Sequence, residues 1–146
     1  MLRLSAKSRY ATRIMICLAK SSSTKPVNVQ EIARSEDISS DYIEQILSKL
    51  RTHGLVASIR GLKGGFVLGR DASDISVADI LHATEGKTAL APCMQKSCSR
   101  ASECVAGEVW KTAGNALEEI FSSTKLKALA QKARHLSESN TATFDI

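Results

Sequence analysis

Three of the four cysteines, Cys93, Cys98 and Cys104, fall in the stretch P-C-M-Q-K-S-C-S-R-A-S-E-C that opens at Pro92. Four residues separate the first pair and five the second. That spacing fits neither 3.6 nor 2 residues per repeat, so the thiols do not line one face of a helix or strand. A loop has to wrap them around something. Lys96 and Arg100 sit in the same loop, and nearby cations favour the thiolate form. Thiolates bind soft metals, above all zinc and iron–sulfur clusters. A structural zinc site usually takes four ligands and includes a tight C-x2-C pair, which is absent. A reversible disulfide sensor is a third reading of the same residues. The histidines, His53, His82 and His135, lie on three different predicted helices and none is beside a cysteine. No nucleophile–base pair is visible, and the chain is not read as an enzyme.

The elements that would carry this loop come into view on either side of it. Ala11, Ile14, Met15 and Leu18 recur at i, i+3, i+4 and i+7, which predicts an amphipathic helix over 8–20 with Arg9 and Arg13 on its other face and Lys7 at its start. Cys17 lies beside the apolar stripe and reads as a small hydrophobe. Residues 21–26, Ser-Ser-Ser-Thr-Lys-Pro, form a loop by composition. Asn28 and Glu31 look like a capping box opening a short helix from Val29 to Ser35, with Ile32 and Ala33 inward. After a turn at 36–38, Ser39 is expected to cap a longer helix to His53, striped by Ile43, Ile46, Leu47 and Leu50. Gly54 ends it. Short helix, brief turn and longer helix make the helix-turn-helix pattern.

The residues after Gly54 strengthen that pattern. Leu55 to Ile59 alternates as a strand, Arg60-Gly61-Leu62-Lys63-Gly64-Gly65 is a Gly-rich turn with two cations, and Phe66-Val67-Leu68 returns. This hairpin is placed as a wing. It lacks the order and strand-to-helix context of a nucleotide phosphate loop. A helix starting at Ser76 turns Val77, Ile80, Leu81 and Thr84 inward and ends at Gly86. His82 on it has no acid or thiol partner nearby in sequence and reads as a surface or core residue. Beyond the cysteine loop a long helix restarts near Glu103, with Val105, Val109, Ala113, Ala116, Leu117, Ile120 and Phe121 on one face and Trp110 beside it. Its length outruns the core of a compact winged helix, which makes it a natural dimer seam. Ser122-Ser123-Thr124 breaks it, and a short helix to about Arg134 comes next.

Charge divides the chain the same way. Residues 1–70 hold twelve Lys/Arg against five Asp/Glu, and residues 71–146 hold eight against ten. The positive field belongs to the N-terminal half, where a polyanion would dock. At 43 % hydrophobic residues the chain is globular and not disordered. No apolar run reaches membrane-spanning length, and residues 1–7 contain no signal-peptide core, so a cytoplasmic protein with no membrane partner is expected.

The opening L-S-A-K-S-R-Y-A, the run Y-I-E-Q-I-L-S-K-L-R-T-H-G-L-V, the wing S-I-R-G-L-K-G-G-F-V-L and three cysteines followed by Trp110 resemble the Rrf2 family of bacterial winged-helix regulators. The resemblance covers residues 1 to about 130. It implies a mainly α fold with a small β-hairpin wing: a winged helix-turn-helix over 1–86, a cysteine loop over 87–104, a dimerisation helix with a short C-terminal helix over 105–136, and a disordered tail over 137–146. It implies a homodimeric transcriptional regulator, acting as a repressor on a palindromic operator in double-stranded DNA. It also implies an iron–sulfur cluster on Cys93, Cys98 and Cys104, [2Fe–2S] before [4Fe–4S], sensing iron, redox state or nitric oxide. The expected DNA contacts are Lys7 and Arg9; Ser39, Ser40, Asp41, Tyr42, Glu44, Gln45 and Lys49 in the major groove; and Arg60, Gly61, Lys63 and Gly64 of the wing in the minor groove. The iron–sulfur members of the family have one more residue in the first cysteine gap. Some carry a histidine three residues after the third cysteine, where this chain has Gly107, and others an N-terminal aspartate that this chain lacks. The alternatives are a cluster-free member governed by a protein partner or thiol redox, or a zinc-stabilised regulator.

Overall fold

The computed structural model describes residues 3–21, 24–87 and 89–144 of the 146. Ser22 and Ser23 of the expected loop, and residues 145–146 of the expected tail, lie outside the described residues. Six helices and one hairpin follow in the order α1 (Ala6–Lys20), α2 (Val29–Glu36), α3 (Ser40–Thr52), β1 (Val56–Ile59), β2 (Gly65–Leu68), α4 (Val77–Glu85), α5 (Val105–Ser123) and α6 (Leu126–Phe144).

The core sits where the apolar stripes predicted it. Ala11, Ile14, Met15 and Leu18 of α1 meet Ile32 of α2 and Ile43, Ile46, Leu47 and Leu50 of α3, all buried. Ile75, Ile80 and Ala83 close it from the α4 side. The cap at Asn28 is the one the sequence spells, and a second forms at Ser76. Asn28 and Glu31 form a reciprocal capping box at α2, and Ser76 and Asp79 form another at α4. Asp37 ends α2 in the left-handed region at φ 55°, which turns the chain and lets Ile38 drop into the core. Ser39 occupies the N-cap position of α3, but its side chain makes no capping hydrogen bond. Gly54, at φ +71°, lets Leu55 N–H bond the Leu50 carbonyl at 3.0 Å, closing α3 as a C′ glycine does.

The strands pair antiparallel, Val56 opposite Leu68 and Ile59 opposite Gly65. Val27 adds a bridge on the other edge of β2, exchanging hydrogen bonds of 3.0 and 2.8 Å with Phe66. The wing is therefore tied to the segment that leads into α2.

The C-terminal third differs from the sequence reading in two ways. The last helix does not stop near Arg134; it runs through Phe144, across most of the stretch expected to be a disordered tail. No glycine or proline follows Gly114, and the polar residues are absorbed locally. Ser137, Ser139 and Thr141 donate to carbonyls four residues back, at 2.9–3.0 Å. The first half of α6 also packs on α1. Leu126 and Ala130 are buried in the common core, and Arg134 donates to the carbonyls of Ala19 and Lys20 at 2.8 and 3.2 Å. A bridge between Ser76 and Lys125 pins the α5–α6 corner to the start of α4. The long helix α5 thus leaves the body and α6 returns to it.

Candidate nucleic-acid interface and cysteine loop

With Ile43, Ile46, Leu47 and Leu50 turned inward, α3 leaves Asp41, Glu44, Gln45, Ser48 and Lys49 exposed on its opposite face. Ser39 is exposed and Ser40 half-buried at the helix start. Tyr42 is placed differently from its neighbours: it is half-buried, and its ring meets Tyr10 edge-on at 5.8 Å. It braces α3 against α1 more than it faces outward. Arg13 is likewise committed, donating to the Glu36 side chain at 2.9 Å and the Glu36 carbonyl at 2.6 Å over the Tyr10 ring. Arg9 is exposed and Lys7 half-buried at the start of α1.

The wing exposes Arg60, Gly61, Leu62 and Lys63. Its backbone admits little else. A Cβ on Gly64 would stand 2.2 Å from the Ile59 carbonyl oxygen, and one on Gly65 2.5 Å from that of Val27. Gly64 N–H closes the tip on the Gly61 carbonyl at 3.0 Å. The glycines set a tight, fixed tip that presents its two cations outward. The exposed face of α3 carries two carboxylates, one amide, a hydroxyl and Lys49, and the tip carries two cations.

The cysteine loop lies on the other side of α4. Cys93 and Cys98 are exposed and Cys104 is half-buried; all are free thiols. Among the described residues no three His, Cys, Asp or Glu side chains converge as a metal would require. The donor set itself suits a soft metal: three unpaired thiols on one loop, the last of them already holding a hydrogen bond. Cys104 is the N-cap of α5, and its sulfur accepts from Gly107 N–H at 3.3 Å. A Cβ added at Gly107 would lie 3.5 Å from that sulfur, so the side chain of any other residue there would start beside the thiol. In this chain that place holds no donor. Cys17 is remote from the loop, at the rim of the core, with its sulfur 3.5 Å from the Ser35 hydroxyl.

Three features of this region escaped the sequence because their partners are far away along the chain. Gly114 sits where a Cβ would press on Met94 at 3.2 Å and touch Leu90, so its bareness seats the loop on α5. His82 reaches Glu118 of α5 at 3.2 Å. Glu85, at the end of α4, accepts from the Ser5 backbone N–H at 3.1 Å and from the Ser8 hydroxyl. The Ser5 hydroxyl first, then the Ser8 hydroxyl and less strongly the Ser5 backbone N–H, hold its carboxyl below the ordinary glutamate value. Ser8 is fully buried and also shares a 2.8 Å hydrogen bond with Thr84. The end of α4, from which the cysteine loop departs, is thereby fastened to the helix that carries Lys7 and Arg9.

Comparison with known proteins agrees with this architecture. Residues 4–132 match the family model Rrf2, described as an iron-dependent transcriptional regulator. The HTH-type transcriptional regulator IscR of Photorhabdus laumondii is 35 % identical over 129 residues, which cover 88 % of this chain and 79 % of that protein. The structure of CymR, the global cysteine regulator of B. subtilis, superposes with a TM-score of 0.78 at 37 % identity, covering 90 % of this chain and 98 % of that one. IscR of T. potens superposes at 0.75 with 32 % identity, covering 90 % and 88 %. These relatives are regulators and not enzymes, and no described helix is long and apolar enough to cross a membrane. A helix-turn-helix with a hairpin wing, matched over nearly its whole length, settles the family: the chain belongs to the Rrf2 family of winged-helix, DNA-binding transcriptional regulators.

Proposed function

We propose that this regulator binds a palindromic operator as a homodimer, as a repressor, and that an iron–sulfur cluster held by Cys93, Cys98 and Cys104 sets its operator affinity. The observation that carries the proposal is the placement of three free thiols on the one loop joining the winged helix to α5. Glu44, Gln45 and Lys49 would meet base edges and phosphates in the major groove, with Asp41 and Ser39 at the helix start. Arg60 and Lys63 would straddle the minor groove. The cluster, [2Fe–2S] before [4Fe–4S], would supply responsiveness to iron, oxidant or nitric oxide. The chain's own part is to close the loop around it, with Cys104 fixed by Gly107 N–H and Met94 seated over Gly114. Glu103 and Glu108 are nearby carboxylates, and neither matches a ligand position of the family. With Gly107 in place of a donor, the fourth position falls to water or a small external ligand, which makes the cluster labile.

The test is anaerobic reconstitution of the parent and of the three single Cys→Ala variants, with iron, sulfide and visible absorption measured. Each loop variant is expected to lose the cluster, and Cys17→Ala to keep it. Gly107→His should slow its loss. If a loop variant retains full iron and sulfide, the ligand set is wrong. If operator affinity is the same with and without cluster, the site is not the switch.

A second reading has a specific observation behind it. CymR of B. subtilis, the global cysteine regulator of that organism, is as similar in fold as the IscR structure is. A cluster-free protein governed by thiol redox or a protein partner would stay colourless after reconstitution and still bind operator.

A further inference from the structure

Leu62 stands apart from the other exposed apolar side chains of this molecule. Val105, Val109, Trp110 and Ile120 share α5, where one partner surface could cover them together. Leu62 is at the tip of the wing, fully exposed at 109 %, between Gly61 and Lys63 and two residues from Arg60; Ile59, at the end of β1, is the other exposed apolar side chain of the described hairpin, at 47 %. A single surface leucine is ordinary. One held at the apex of a rigid basic hairpin is not, because its surroundings fix where it goes. Gly61, at φ +116°, and the Gly64 N–H to Gly61 carbonyl bond define the tip. The Val27–Phe66 bridge holds the hairpin from behind. A cleft of about 690 Å³ beside the tip, toward the segment before α2, is lined by Leu62 and Ile59 with Lys25, Arg60, Lys63 and Glu31. The fully exposed Leu62 thus stands among three cations and one carboxylate, with Arg60 and Lys63 to either side of it along the chain.

We infer that Leu62 is a wedge: when the wing enters the minor groove, Arg60 and Lys63 take the flanking phosphates and Leu62 presses into a base step and partly unstacks it. Apolar side chains used this way kink the duplex toward the major groove. The cost is least at pyrimidine–purine steps, which deform most readily. The wing then contributes sequence preference without a hydrogen bond to any base, selecting operators with a flexible step under each wing. The inference rests on the DNA-binding reading above and adds to it the residue and the feature of DNA that it selects.

The experiment uses the full-length protein and a duplex recovered by selection from a randomised pool on the parent. 2-Aminopurine replaces single adenines across the wing contact, and donor and acceptor dyes at the duplex ends report bending. The parent should raise 2-aminopurine emission at one step per half-site and bring the dyes together. Leu62→Ala should lose about tenfold in affinity with the salt slope unchanged, and should abolish both optical signals. Leu62→Met should restore them. Lys63→Ala should instead lower the salt slope by about one and leave the emission change in place. A Leu62→Ala protein that binds and bends like the parent overturns the wedge, as does one that binds more weakly with the emission change retained. If that variant binds normally but fails only in regulated transcription, the tip faces a protein and the inference is equally wrong. A parent protein whose affinity for any duplex ignores salt would instead bring down the DNA-binding reading itself.

Discussion

The winged-helix body and the α5 arm are built from the same apolar periodicity, yet they end in opposite states. In α1 and α3 the stripe is buried: Ile14, Met15, Ile43, Ile46 and Leu50 are at 0 % exposure. In α5 no residue is buried, and Val105 and Ile120 remain 77 % and 57 % exposed. One region is complete within a single chain. The other leaves a nineteen-residue helix with no buried residue and three free thiols.

The sharpest break of the comparison is in stability. Leu50→Ala, in the packed body, should cost about 2–5 kcal/mol in denaturant unfolding, as a buried leucine deleted from a close-packed core does. Ile120→Ala, at concentrations where the chain is monomeric, should stay within about 0.5 kcal/mol of the parent. Equal losses at the two positions would mean that α5 is packed in the free chain.

The arm can next be tested through assembly. If the exposed face of α5 is the dimer seam, Ile120→Glu should raise the dimer dissociation constant by about tenfold or more, because an unpaired carboxylate would be buried there. Sedimentation across micromolar concentrations reads this directly. A dimer undisturbed by the change places the seam elsewhere. The body is tested on its own terms by Arg60→Ala, expected to weaken operator binding by about 1–3 kcal/mol without shifting the dimer equilibrium. Unaltered affinity at several salt concentrations would remove Arg60 from the interface.

How far the sequence could be read depends on the same division. Stripes whose partners belong to the same body, such as Ala11–Leu18 and Ile43–Leu50, announced both their helices and their burial. The stripe of α5 announced only a helix, because periodicity records that a face is apolar and not what covers it. The Asn28/Glu31 cap and the glycines of the wing are local chemistry, and they were legible, while the cap expected at Ser39 does not form. Three things were not. Residues 137–144 continue α6 because no glycine or proline interrupts the backbone ladder, while their polar composition reads as a tail. His82 and Glu118, 36 residues apart, meet only once α4 and α5 pack. Glu85 and Ser8 are 77 residues apart and meet only because α4 ends against the start of α1. The cysteine triplet was legible as a donor set; the path of the loop, along which the described thiols do not converge, was not, since it leaves no periodic trace.

The smallest effect tests the joint between the two regions. Glu85 is the last residue of α4, one position before Gly86 releases the chain toward the cysteine loop, and its carboxylate is bonded to Ser5 and Ser8 of the N-terminal segment. Because those bonds lower its pKa in the folded state, the ionised form favours folding. That contribution is fully present above the ordinary glutamate value and is lost as pH falls through the lowered folded one. Glu85→Gln removes the charge while keeping the shape. At neutral pH the variant should be less stable by under about 1 kcal/mol, the solvent around this exposed group screening the rest. In urea unfolding across a pH series, the gap should close on acidification below the ordinary glutamate range, where the parent carboxyl is itself protonated. A gap that persists unchanged at low pH would mean that Glu85 acts through packing alone. A gap that closes identifies a charge-dependent fastening between the end of α4 and the start of the helix that carries Lys7 and Arg9.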